Sequence, residues 1–96
     1  MHAFVGIDVA KEVHWACAVD GNARPLFSLA VPNGPAAIAA LIARIEGLEA
    51  ERVTVALDML GGAATLIATM LGEAGVVVVH TPGLAVNRAR QLPRAS

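Results

Sequence analysis

Ninety-six residues allow one small domain, and a composition that is 56% hydrophobic supplies ample material for a core. No apolar run approaches the roughly 20 residues needed to span a bilayer, and the N-terminus lacks the basic start and cleavage pattern of a signal peptide, so a soluble cytoplasmic protein with no membrane association is expected. The formal net charge of −1 gives no overall pull toward nucleic acid, but all eight acids lie within residues 1–73, whereas Arg88, Arg90 and Arg94 occupy an acid-free tail. That tail suits either contact with phosphate or a solvated helix and fraying end.

The first strand is expected over about residues 3 to 9, and a second from His14 to Val19 before the turn signal Asp20-Gly21-Asn22. A third places Phe27, Leu29 and Val31 on one face and Ser28 and Ala30 on the other, completing an antiparallel meander. Asn33-Gly34-Pro35 then breaks the chain and sets Pro35 in the first turn of a helix, where its missing N–H does no harm. Ile38, Leu41, Ile42, Ile45 and Leu48 share one face of that helix.

The alternating segment Arg52-Val53-Thr54-Val55-Ala56-Leu57 reads as a fourth strand ending on Asp58. A helix follows from about Gly62 to Ala74, with Leu66, Ile67, Met70 and Leu71 inward and Gly75 as its stop. Val76-Val77-Val78-Val79 is too short for a helix and reads as a buried parallel strand, ended by Thr81-Pro82-Gly83. Residues 84–90 can add one or two helical turns before Pro93. The order is β-β-β-α-β-α-β with a C-terminal helical tail, an α/β mixed sheet in one domain over 1–96.

Two acids stand out against this frame. Asp8 lies inside the apolar run Phe4-Val5-Gly6-Ile7-Asp8-Val9-Ala10-Lys11, where lost hydration must be matched by a cation or strong donors. Asp58 ends a second apolar strand in a similar setting. Each alone reads as a turn or helix cap, a common role for aspartate. As a pair at matching strand ends, they read as a shared site suited to a metal ion.

The words around these acids carry a resemblance. Val5-Gly6-Ile7-Asp8-Val9-Ala10-Lys11-Glu12, Leu57-Asp58-Met59-Leu60-Gly61-Gly62 and Pro82-Gly83-Leu84-Ala85-Val86-Asn87-Arg88-Ala89-Arg90 resemble, in order and spacing, the N-terminal RuvC-like domain of the DEDD-type insertion-sequence transposases, the bridge-RNA-guided recombinases. The resemblance covers essentially the whole chain and implies a ribonuclease-H-like sheet, with Asp8 as the first catalytic acid and metal ligand and Asp58 as the second. The family commonly has glutamate at the second position, so Asp58 is one methylene shorter. The last two acids of the family lie in a Lys-Thr-Asp-x-x-Asp-Ala stretch after the arginine-containing segment, and the nucleophilic serine lies in a downstream domain. Neither is among these 96 residues, so the resemblance implies a partial domain, inactive alone, that binds Mg2+ or Mn2+ weakly. It further implies DNA as substrate, a guide RNA, the remainder of the transposase and a second copy of the chain as partners.

Lys11, Arg88, Arg90 and Arg94 are the candidate nucleic-acid contacts, although Lys11 pairing with Glu12 or another carboxylate is the more ordinary role. His14 is a candidate ligand at the sheet edge, against a solvent-facing or hydrogen-bonded strand histidine. Trp15 is expected in the core, Cys17 as a small buried hydrophobe, and Gly61-Gly62 as either a tight turn or a phosphate-facing helix start. Two other readings remain. One is a non-catalytic transposon remnant acting as an interaction module. The other is an actin-like kinase or ATPase fragment, disfavoured because Val9-Ala10-Lys11 replaces the glycine and hydroxyl residue which that group places after its aspartate.

Overall fold

The computed structural model describes residues 1–58 and 61–80; the expected helical tail, with Arg88, Arg90 and Arg94, lies outside them. Strands β1 (His2–Asp8), β2 (Val13–Val19) and β3 (Pro25–Pro32) are followed by α1 (Pro35–Glu46), β4 (Arg52–Leu57), a 3-10 turn (Gly61–Ala64), α2 (Thr65–Glu73) and β5 (Val77–His80). The sheet order is β3-β2-β1-β4-β5. The β1–β2 and β2–β3 pairs are antiparallel, as the meander requires, while β4 lies parallel to β1 and β5 parallel to β4. The β-β-β-α-β-α-β order expected from the sequence is the one observed.

Strand alternation decides which face is covered. Ala3, Val5 and Ile7 of β1, Ala16 and Ala18 of β2, Phe27 and Val31 of β3, and Val55 and Leu57 of β4 are all buried. With the exception of Ala3, they join one cluster with Ile38, Leu41, Ile42 and Ile45 of α1 and Ile67 and Leu71 of α2. Both helices therefore pack on one side of the sheet, each through the stripe that its apolar spacing dictates. Ala16 and Ala18 at the centre let the helical layer approach closely, and each fully buried Ile or Leu contributes about 1.5–3 kcal/mol of apolar transfer energy.

The helix ends follow the backbone chemistry. Pro35 occupies the first turn of α1, and the Ile38 amide donates to the Gly34 carbonyl at 3.1 Å. The helix stops at Glu46, before Leu48, whose amide donates to the Ile45 carbonyl at 3.1 Å while its side chain still packs on the core. Gly75, at φ 77°, turns the chain from α2 into β5. At Gly62 an added Cβ would meet nothing within 4 Å, so crowding does not require glycine there.

The valine run differs in environment from the expectation. It forms a parallel strand, but at the edge of the described sheet rather than in its interior, with Val77 58% and Val79 40% exposed. Among the described residues the helices lie on one side: Val78 packs against the core, while its neighbours along the strand point to the face opposite α1 and α2.

The β2–β3 turn is built on Asp20. Its carboxylate Oδ1 accepts from the Asn22 amide at 2.8 Å and the Arg24 amide at 3.0 Å, and its carbonyl accepts from the Ala23 amide at 3.0 Å. The Arg24 amide bond holds the carboxyl below its ordinary range. Left-handed backbone falls on Ala23, at φ 61°, rather than on Gly21 or Asn22.

Three outcomes follow for the stability of the 96-residue chain, the first two read by equilibrium unfolding and the third by amide exchange. Leu57→Ala, at a site with no exposure, lowers stability by about 2–5 kcal/mol in urea titration. Ala23→Gly raises it by about 0.5–1 kcal/mol, because glycine takes positive φ without the Cβ clash. The depressed Asp20 carboxyl makes its contribution fully present above the usual aspartate range and lost as pH falls through its folded value; amide exchange at Asn22 and Arg24 should therefore accelerate relative to unfolded-chain rates on acidification, and Asp20→Ala should remove that pH dependence.

Candidate metal centre

Asp8 is the last residue of β1, and Asp58 follows the last residue of β4. The two strands are parallel neighbours paired up to Ile7 opposite Leu57, and the Asp58 amide extends the pairing by donating to the Ile7 carbonyl at 3.4 Å. Both acids therefore leave the same edge of the sheet at the same height, on strands whose axes lie about 4.8 Å apart. Ile7 and Leu57 immediately before them are buried under the helices, so alternation assigns Asp8 and Asp58 to the opposite face. Both are half-buried.

This placement is an electrostatic arrangement as well as a geometric one. Adjacent carboxylates on neighbouring strands repel, and partial burial strengthens that repulsion by lowering the local dielectric. A divalent cation relieves it. Carboxylate oxygens are the donors that Mg2+ and Mn2+ prefer, and Mg2+ commonly takes one or two carboxylates and keeps several waters, so this donor set fits such an ion. Among the described residues no group of three or more His, Cys, Asp or Glu side chains gathers in one place, so the fit rests on these two acids.

The other candidates fall into place around that edge. Lys11 is exposed in the short loop after β1 and makes no ion pair among the described residues, in contrast to the expected pairing with Glu12 or another carboxylate. His14 is fully buried on the helix-covered face, and its Nδ1 accepts from the Ala10 amide at 3.1 Å. It is thus a hydrogen-bonded strand histidine and not a solvent-facing one, with one ring nitrogen already engaged. Cys17 is buried, as expected of a small hydrophobe.

Trp15 corrects the expectation of a core residue. It stands opposite Asp8 in the β1–β2 register, outside the core cluster, half-buried on the face opposite α1 and α2, with Nε1 donating to Ser28 Oγ at 2.8 Å. The Ser28 hydroxyl lies 3.5 Å from Cys17 Sγ. The helical layer lies on alanines 16 and 18, which leaves the larger Trp15 on the side of the acids. The sequence marks Asn33 as a break before α1; in the structure its Nδ2 also donates to the Lys11 carbonyl at 3.1 Å and its amide to the Glu12 carbonyl at 2.8 Å. The signal available in the sequence was an asparagine, a residue prone to backbone contacts, just after a strand.

Comparison with known proteins agrees with this architecture. The family model of the IS110-type DEDD transposases, described as "Transposase", matches residues 5–96. An insertion element IS116 protein of 44.8 kDa from Streptomyces clavuligerus is 44% identical over 85 residues, covering 88% of this chain and 21% of that protein. An insertion element IS900 protein of 42 kDa from Mycobacterium paratuberculosis is 33% identical over 87 residues, covering 90% and 22%. Both are described as uncharacterized, and the chain spans about a fifth of their length.

Among solved structures, T. thermophilus RuvC in complex with a Holliday junction substrate superposes with a TM-score of 0.60 at 19% identity, covering 92% of this chain and 69% of that one. A Bacteroides thetaiotaomicron protein with an actin-like ATPase fold gives 0.59 at 15% identity, covering 97% and 35%. At these identities the likeness shows the fold: a RuvC-like, ribonuclease-H-like sheet. The two folds share this core, so the nearly equal scores do not separate them, whereas the sequence match does. With 92 of its 96 residues inside the family match, the chain belongs to the IS110-type DEDD transposases.

Proposed function

We propose that this chain forms the N-terminal catalytic-domain portion of a DNA transposase, in which Asp8 and Asp58 hold a divalent metal ion, Mg2+ or Mn2+, against the DNA backbone. The observation that carries the reading is the shared register of the two acids at one edge of neighbouring parallel strands, on one face of the sheet. Bound there, the ion would neutralise phosphate charge and orient the scissile group. Asp8 and Asp58 supply hard oxygen ligands from rigid strand ends, and Ile7 and Leu57 fix the height of both by packing under the helices. Lys11, on the loop beside Asp8, presents a compact positive charge toward an incoming phosphate. Arg88, Arg90 and Arg94 are proposed to add phosphate contacts from the tail.

Two carboxylates bind such an ion weakly. The relatives are about four times as long as this chain, and the remaining acids, the nucleophile and any guide RNA contacts are assigned in this proposal to the rest of such a protein, which acts as an oligomer. DNA as the substrate is supported by family membership and by the junction-bound RuvC neighbour. A second reading, an interaction module without catalysis, draws on the exposed Phe4, Val77 and Val79 along the face opposite α1 and α2.

Mn2+ titration of the 96-residue chain, followed by electron paramagnetic resonance, separates the two readings. Asp8→Asn and Asp58→Asn should each weaken binding by about tenfold or more, since loss of an outer-sphere partner alone costs 10–100-fold at metal sites. Equal Mn2+ affinity in all three proteins, with self-association likewise unchanged, would favour the interaction module and remove the two acids from the proposed site.

A further inference from the structure

The loop that follows Asp8 is fastened from two sides by polar side chains that the folded core does not need. Val9 is buried in the core cluster, and the chain then leaves the ladder through Ala10, Lys11 and Glu12, all exposed. Backbone groups in such a loop can be satisfied by water. Instead, the Ala10 amide donates to His14 Nδ1 at 3.1 Å, the Lys11 carbonyl accepts from Asn33 Nδ2 at 3.1 Å, and the Glu12 carbonyl accepts from the Asn33 amide at 2.8 Å. Three consecutive residues are thereby held by two.

The polar chemistry of His14 and Asn33 is directed at this loop and is unfavourable elsewhere. An imidazole that accepts an amide proton at Nδ1 carries its own proton on Nε2. That N–H is buried and has no hydrogen-bond partner among the described residues, and the same is true of Asn33 Oδ1. His14 sits opposite Val31 on the covered face, where an apolar ring would fill the space without burying an unpartnered donor. Core packing alone thus disfavours histidine there, and what histidine adds is the bond to Ala10.

We propose that His14 and Asn33 are positioning residues that lock residues 10–12, holding the Asp8 carboxylate and the Lys11 side chain at a fixed place on the rim of the site. The lock rests on the reading of Asp8 as a metal ligand only for its functional consequence. Its geometric content stands on the hydrogen bonds themselves. Asp8 is the point where β1 passes into the locked loop, so slack in residues 10–12 loosens the strand end that carries the carboxylate.

The test uses the 96-residue chain, 15N-labelled, as wild type, His14→Phe, His14→Asn and Asn33→Asp. Phenylalanine removes the acceptor and retains a ring, asparagine restores an acceptor at the position of Nδ1, and aspartate at 33 removes the Nδ2 donor with little change in size. The expected result is amide exchange at Ala10 accelerated by about tenfold or more in His14→Phe with the melting temperature maintained, partial recovery in His14→Asn, and faster exchange across residues 10–12 in Asn33→Asp. Mn2+ affinity should fall by about tenfold in His14→Phe although both acids are intact. Unchanged exchange at Ala10 in His14→Phe would overturn the lock, and faster exchange with wild-type Mn2+ affinity would overturn its positioning role. If His14→Phe does not fold, the same two readings on Asn33→Asp decide. A wild-type chain whose Mn2+ binding is insensitive to Asp8→Asn would instead defeat the metal reading and the role assigned to the lock within it, while exchange at Ala10 would still establish or refute the lock itself.

Discussion

The parallel pairing of β1 with β4 is the constraint on which the rest of the molecule depends. It closes at Ile7 opposite Leu57, two side chains with no exposed surface, and their burial under α1 and α2 fixes the strands along their length as well as side by side. A slip of one residue would turn one strand's apolar set away from the helices, toward the opposite face. The same slip would part Asp8 from Asp58. Stability and site geometry are therefore one property here: the energy that keeps the core closed also keeps two like charges together at the sheet edge, an arrangement that the carboxylates would not adopt by themselves.

Much of this was legible in the sequence because its signals are local. The alternation of Phe27, Leu29 and Val31, the helical spacing from Ile38 to Ile45, and an acid at the end of each of two apolar strands depend only on near neighbours along the chain. What could not be read was which face of each strand would be covered. On β2, alternation separates Trp15, Cys17 and Val19 from His14, Ala16 and Ala18, and hydrophobic size argues for burying the first set. The structure sets the second under α1 and α2, because alanines admit a close helical layer, while on the opposite face Cys17 is still buried and Trp15 is half-buried with its indole bonded to Ser28. The valine run differs for a related reason: its composition suits burial on both faces, but among the described residues helices lie on one face of it only.

The hydrogen bonds around the loop after β1 were hidden for a different reason. His14 and Asn33 lie 19 positions apart, and they act together only because β2 and β3 pair antiparallel with Val13 opposite Pro32. Register of that kind is a property of two strands together, not of either alone. The acids were easier to find because each announces itself as a charge in an apolar setting. A histidine in a strand and an asparagine before a helix are ordinary in isolation, and their significance comes from where their second atoms end up.

The tryptophan opposite Asp8 has a further consequence. It is the only tryptophan in the chain, and the bond to Ser28 holds its indole in one orientation beside the acidic edge. The near-ultraviolet emission of the whole chain thus originates at a single known place. Paramagnetic ions and stacked nucleobases both quench indole emission at short range, so an optical probe of what approaches this edge is already present in the natural sequence, without a dye or an engineered label.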